Sequence, residues 1–268
     1  MESINAFRRA LAAGQFCLGA AVTFSDPLVT EALAEAVDFI WIDQEHSPLG
    51  PEALHGHLLA ARSRRKPALV RVTAGETAFI KPVLDAGADG IIVPQVRTVA
   101  EVERAVADCR YPPRGRRGYG PRVPSNFGRS GGADYVSAAD AGVFAAVMIE
   151  TREAVAAIDA IVAVPGLDAV VLGPYDLSGA LGVLGQVEHP TVVAALEHVI
   201  ARATAAGKFV GAGMGPDADY AVRMARRGVQ WVQAGSDFGY LIGFMDGLRQ
   251  WVRTQLGGGS APAGPAAD

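Results

Sequence analysis

A chain of 268 residues, half of them hydrophobic, is long enough to bury one large single core. Its formal charge of -4, without a basic stripe, gives no footing for nucleic acid, and no apolar stretch reaches the roughly 18 residues of a membrane span. Cys17 and Cys109 sit in apolar patterns without a CxxC, so they read as buried free thiols of a cytoplasmic protein.

The opening stretch MESINAFRRALAAG is an amphipathic helix start that lacks the apolar centre of a signal peptide. Eight short apolar runs then alternate with helical patterns. They are Cys17–Val22, Asp38–Asp43, Pro67–Val72, Gly90–Pro94, Val143–Glu150, Asp168–Gly173, Lys208–Gly213 and Gln230–Gly235. Helix-start signals fall between them: Ser25-Asp26-Pro27, Pro51 after Gly50, Thr151 before Arg152 and Glu153, and Pro190. Leu241–Leu256 supplies the eighth helix. Eight strand–helix units in this length predict an α/β fold, a (β/α)8 TIM barrel, as a single domain over 1–256. The rival open sheet would carry a GxGxxG after its first strand, and none is there. Two stretches break the rhythm. Tyr111–Gly132, basic and rich in Gly and Pro, reads as a lid, an interface arm or a disordered loop. Residues 257–268, all Gly, Ala, Pro, Ser and Asp, read as a disordered tail.

A barrel gathers its chemistry at the carboxyl ends of its strands. The second run, DFIWIDQEH, ends an apolar strand in Asp43, Gln44, Glu45 and His46, charges that gain nothing from packing. Further strand ends bring Arg71, Gln95, Glu150 and the run Gly173, Pro174, Tyr175, Asp176. Glu150 and Asp176 are hard oxygen donors on adjacent strand ends, a pair suited to Mg²⁺ or Mn²⁺ with waters and substrate completing the shell. The alternative for each is a charge favoured at a helix start. LGPYDLSGALG can offer backbone N–H groups to a carboxylate. GAGMG, Gly211–Gly215, falls where barrels often hold phosphate. His55 and His57, two apart on a helix, do not share a face and make no zinc site. The three lysines, Lys66, Lys81 and Lys208, all lie away from the strand carboxyl ends, which disfavours Schiff-base chemistry.

In combination, these motifs resemble the HpcH/HpaI family of class II pyruvate aldolases. The resemblance runs from about Gly14 to Leu256. It rests on D-x-E-H at Asp43–His46, VRV at Val70–Val72, IKPVLDAGADGIIVPQV at Ile80–Val96, RYPPRGRRGYG at Arg110–Gly120, IET at Ile149–Thr151, GPYDLSGALG at Gly173–Gly182 and GQVEHP at Gly185–Pro190. It implies reversible cleavage of a 4-hydroxy-2-oxo acid to pyruvate and an aldehyde, with Mg²⁺, Mn²⁺ or Co²⁺ as cofactor. Glu150 and Asp176 are then the metal ligands, and Arg71 steadies the enolate. Asp43 belongs to the same motif as His46, which is the base acting through a water, with Asp85 as its partner. Gly173, Pro174, Tyr175 and Asp176 hold the substrate carboxylate. The resemblance also implies a homo-oligomer, a hexamer as a trimer of dimers, with the last helix exchanged between subunits. Two positions depart from the pattern, Ala20 and Met148, and both are expected to widen or dry the pocket. The other readings are a citrate-lyase-like acyl-CoA lyase and a non-catalytic binding barrel.

Overall fold

The computed structural model describes residues 2–257; all but the first residue of the 257–268 tail lies outside them. In chain order the elements are α1 (Glu2–Ala12), β1 (Cys17–Val22), α2 (Leu28–Ala34), β2 (Phe39–Asp43), α3 (Pro51–Ser63), β3 (Ala68–Arg71), α4 (Thr77–Ala86), β4 (Gly90–Val93), α5 (Val99–Asp108) and α6 (Gly132–Gly142). Then follow β5 (Phe144–Ile149), α7 (Arg152–Ala156), α8 (Ile158–Val162), β6 (Ala169–Leu172), α9 (Pro174–Ala180), α10 (Pro190–Ala205), β7 (Phe209–Met214), α11 (Ala218–Arg226), β8 (Trp231–Ser236) and α12 (Asp237–Gln255). The eight strands pair in sequence, all parallel, and β8 closes on β1. This is the expected (β/α)8 barrel.

Alternation along each strand sorts the core into two shells. Ile40, Ile42, Val70, Ile91, Val147 and Leu172 face the surrounding helices. Phe39, Trp41, Leu69, Phe144, Met148, Val171 and Trp231 fill the lumen. The amphipathic α1 plugs the amino-terminal end: its Phe7 ring lies 5.4 Å from Phe39, 5.8 Å from Phe144 and 6.0 Å from Trp231. The lumen is therefore sealed below, and chemistry has only the carboxyl mouth to occupy. Cys17 and Cys109 are buried and free, as read.

Three expectations are corrected here. The Gly211–Gly215 run is not a phosphate loop, because Gly211 and Gly213 lie inside β7. Gly211 is glycine for packing, since a Cβ there would run into the indole of Trp231. Residues Tyr111–Gly132 connect α5 to α6 ahead of β5, so they emerge on the amino-terminal side and form no lid over their own chain's mouth. This segment packs on itself and on α6: the rings of Tyr111, Tyr119 and the α6 residue Tyr135 lie within 6.5 Å, and Arg117 stacks 4.7 Å over Tyr111. Finally, Ala20 does not widen the pocket, because Ala21 is the β1 residue packed into the lumen cluster.

Candidate active site

At the mouth, β2 and β3 run in a register that sets Asp43 beside Arg71. The guanidinium takes a two-point grip on that carboxylate: Nε donates to Oδ1 at 2.9 Å and Nη2 to Oδ2. Nη1 reaches Glu45 Oε2 at 3.1 Å and faces the Met148 sulfur at 4.0 Å. The group also lies 5.5 Å over the Trp41 ring. Such a fork leaves the arginine no freedom to turn away. Burial works against the Arg71 charge, but the bonds to Asp43 and the charges of Asp43, Glu45 and Glu150 outweigh it and raise its pKa. Asp43 is thus fully engaged by Arg71 and by the backbone N–H of Glu45.

Glu150 follows β5 and is buried. Its Oε1 accepts from the backbone N–H of Gln95 at 2.7 Å. Gln95 holds a left-handed backbone, φ +55°, that aims this N–H inward. A Cβ at position 173 would collide with Glu150 Oε2, so Gly173 lets the carboxylate lie across the mouth. Burial, then the charges of Asp176 and Glu45, push the Glu150 carboxyl up to about 7 against the Gln95 bond and the pull of Arg71. Glu45 is raised too, first by burial. Asp43, Glu45 and Glu150 therefore share one guanidinium, and Asp176 adds a fourth negative charge beside the two glutamates. That unbalanced charge is what a hard divalent ion would relieve, so the residues fit the metal. Among the described residues, no three His, Cys, Asp or Glu side chains form a ready-made metal cage, so Glu150 and Asp176 would need substrate and water to complete a shell.

His46 is largely exposed, with Nε2 3.6 Å from Glu45 Oε2. Glu45 hence bridges Arg71 and His46, a link that the sequence motif placed nearby without showing it. Asp85, expected beside His46, is not brought there by its own chain. It lies in the last turn of α4, leading to the amino-terminal end of β4, and pairs with Arg117 at 2.7 Å. Gly173 and Pro174 begin α9 with Tyr175 and Asp176, the latter two exposed at the mouth. The N–H groups of Tyr175 and Asp176 have no acceptor within that first turn, by helix geometry.

The β1 side of the mouth was not legible as a site. Asp237, the first residue of α12, accepts from Thr23 N, Thr23 Oγ1 and Phe24 N. His57, buried in α3, closes the same loop: Nε2 bonds Phe24 O at 2.8 Å and Nδ1 faces Thr30 Oγ1 at 2.7 Å. Burial pushes the His57 imidazole down, in keeping with a neutral structural histidine rather than a ligand. Gln233, a long polar residue in the middle of the WVQAGS strand, stands in the lumen beside Gly213.

A closed parallel barrel with a clamped arginine among acidic side chains at its carboxyl mouth is the frame of a barrel enzyme acting on small oxygen-rich acids. The chain belongs to the HpcH/HpaI aldolase/citrate lyase family, whose sequence model matches residues 22–243. It is 36% identical over 261 residues to a hydroxypyruvate/pyruvate aldolase of Pseudomonas aeruginosa, covering 97% of this chain and 96% of that one. It is 38% identical over 249 residues to a 5-keto-4-deoxy-D-glucarate aldolase of Shigella boydii, covering 89% and 94%. Among solved structures, a HpcH/HpaI aldolase/citrate lyase family protein of Burkholderia cenocepacia superposes with a TM-score of 0.87 at 31% identity, covering 93% of this chain and 99% of that one.

Proposed function

We propose that the protein is a divalent-metal-dependent pyruvate aldolase, a carbon–carbon lyase that cleaves a 4-hydroxy-2-oxo acid to pyruvate, or a related 2-oxo acid, and an aldehyde. The observation that carries this is the gathering of Asp43, Glu45 and Glu150 around the guanidinium of Arg71, with Asp176 acting on both glutamates and Glu150 pushed up to about 7. Held by Glu150 and Asp176, Mg²⁺, Mn²⁺ or Co²⁺ would supply a Lewis acid for the keto oxygen and for enolate charge.

The chain's own groups do the rest. The N–H groups of Tyr175 and Asp176, in the turn opened by Gly173 and Pro174, orient the substrate carboxylate. Arg71 meets the keto oxygen and steadies the negative charge that grows there. His46, through a water, takes the proton from the C4 hydroxyl. The C3–C4 bond then breaks as the C4 carbonyl forms, and its electron pair passes into the enolate. C3 regains a proton to give pyruvate. The reverse order is aldol addition.

Exchange of the pyruvate methyl protons in D₂O tests this reading. Exchange should stop with chelator and return with metal, and borohydride with pyruvate should leave no adduct. A trapped covalent adduct would overturn the metal-dependent mechanism.

Assembly belongs to the same reading. Leu241, Ile242, Phe244, Met245, Leu248 and Trp251 of α12 are exposed. Beside β1 and β8 lies an apolar groove of about 700 Å³, bounded by Phe16, Leu18, Ala221, Val222, Ala225 and Ala234. These complementary surfaces support exchange of α12 between subunits of a homo-oligomer, a hexamer built from such dimers. No helix among the described residues is long and apolar enough to cross a membrane. The free buried thiols support a reducing, cytoplasmic setting.

A further inference from the structure

We propose that Gln233 is a specificity-determining residue that reads the aldehyde half of the substrate, its side-chain carbonyl accepting a hydrogen bond from a hydroxyl carried on the carbon next to the aldehyde carbon. The inference rests on the aldolase reading and deepens it.

The 2-oxo acid end of the substrate belongs to β3, β5 and β6, where Arg71, Glu150 and the start of α9 stand. His46, the base for the C4 hydroxyl, follows β2, whose neighbours in the ring are β1 and then β8, so the aldehyde half is placed on the β2, β1 and β8 side of the mouth. That side of the lumen is lined by small residues. Gly213 pairs with Gln233 across β7 and β8, Gln233 pairs with Gly19 across β8 and β1, and Ala21 pairs with Trp41 across β1 and β2. Gln233 is the one long polar side chain in this patch.

Its orientation is fixed by chemistry. Nε2 donates to the backbone carbonyls of Met214, at 3.3 Å, and Gly235. Two carbonyl oxygens can be met only by the NH₂ end of the amide, so the amide cannot flip. Oε1 is consequently turned the other way, over Gly213, where a Cβ would meet it at 3.2 Å and the Trp41 ring at 3.9 Å. The Trp41 ring is also the surface under Arg71, 5.5 Å from its guanidinium. The Trp41 ring thus borders both Arg71 and the space over Gly213 that Gln233 Oε1 faces. Among the described residues, no protein group donates to Oε1. A buried amide with both donors used and its acceptor open prefers a ligand that brings an O–H. An aldehyde with an apolar group at that position leaves the acceptor unmet, and sites of this kind reject such analogues.

The test uses the full-length, metal-loaded protein, pyruvate, and two isosteric acceptors, glycolaldehyde and propionaldehyde. Wild type should favour glycolaldehyde in kcat/KM by at least about tenfold. Gln233→Leu should bring that ratio to about one, while pyruvate methyl-proton exchange, which involves no aldehyde, stays within about twofold of wild type. Gly213→Ala is the second variant, since it leaves the Gln233 amide bonds in place but sets a methyl against Oε1; it should lower the ratio too, which keeps the inference testable if Gln233→Leu does not fold. A folded Gln233→Leu or Gly213→Ala enzyme with the wild-type ratio overturns the inference and leaves the aldolase reading standing. If wild type exchanges pyruvate protons yet shows no preference for glycolaldehyde, the inference also fails alone. If wild type neither exchanges protons nor joins pyruvate to any aldehyde, the aldolase reading falls, and this inference with it.

Discussion

Arg71 is held by Asp43 on two atoms and by Glu45 on a third, so its position is set before any substrate arrives. A lysine would keep the charge and lose the fork. Arg71→Lys should therefore cost at least ~10²-fold in turnover, the scale seen when one donor to developing oxyanion charge is removed. Near-normal turnover in steady-state kinetics would take Arg71 out of the site. Glu150 makes a different demand. Its folded-state carboxyl is pushed up to about 7, above its ordinary value of 4.5, chiefly by burial. A raised carboxyl means that the folded state holds the proton more tightly than the unfolded chain. Stability is then full below about 4.5 and is lost as pH rises through about 7. In chelator at pH 8, Glu150→Gln should accordingly melt higher than wild type, with the gap closing by pH 5. Equal melting at both values by circular dichroism would show that Glu150 carries no such burden. Both residues were legible as charges at strand ends, where packing gives a charge no reason to be. The Glu45 bridge between Arg71 and His46 was not, because a motif states proximity and not partners. Asp85 came from the resemblance alone: a helix residue carries no strand-end mark, and within its own chain it pairs with Arg117, 32 residues on in a segment without periodicity.

At the scale of elements, glycines decide how the lumen fills. Gly211 in β7 faces the indole of Trp231, a fully buried side chain with Trp41 and Phe39 packed around it. Gly211→Ala has no open space to use, because the ring is boxed in by Phe7 and Phe144 as well. Overpacking of this kind costs about 1–3 kcal/mol, and a shift in urea midpoint at unchanged m-value would report it. Strand order and number were readable because each strand is a short apolar run closed by turn residues. The purpose of the glycines in GAGMG was not, since a bare Gly run looks the same whether it cradles a ligand or clears room for tryptophan. The long connection between α5 and α6 was recognisable as exceptional, but its side of the barrel depends on counting it as a helix-to-strand link, and α6 is too weakly patterned to announce itself.

For the whole molecule, the unsettled surface is the β1–β8 flank. In a barrel of eight strand–helix units the last helix should cover that flank, yet α12 keeps contact with it only near its start, through Asp237 and Tyr240. Beyond Tyr240 the helix carries Leu241, Ile242, Phe244, Met245, Leu248 and Trp251 into solvent. A contiguous apolar face of that extent, with an apolar groove of about 700 Å³ left open on the same chain, is the kind of exposed surface that marks an interaction site. If the helix folded back to fill its own groove, the chain would need no partner. If it fills the groove of a second copy, the contact is reciprocal and doubles across a two-fold axis. The two arrangements differ in mass. Truncation after Tyr240 separates them, because it keeps the Asp237 clasp on Thr23 and Phe24 and the Tyr240 bond to Ala234. Full-length protein should scatter as an oligomer of the 27.8 kDa chain at micromolar concentration. The truncated form should fall to a monomer, melt lower, and bind a hydrophobic dye at the exposed groove. A full-length monomer, or a truncated form that keeps the oligomeric mass, would show that α12 is not what joins the subunits.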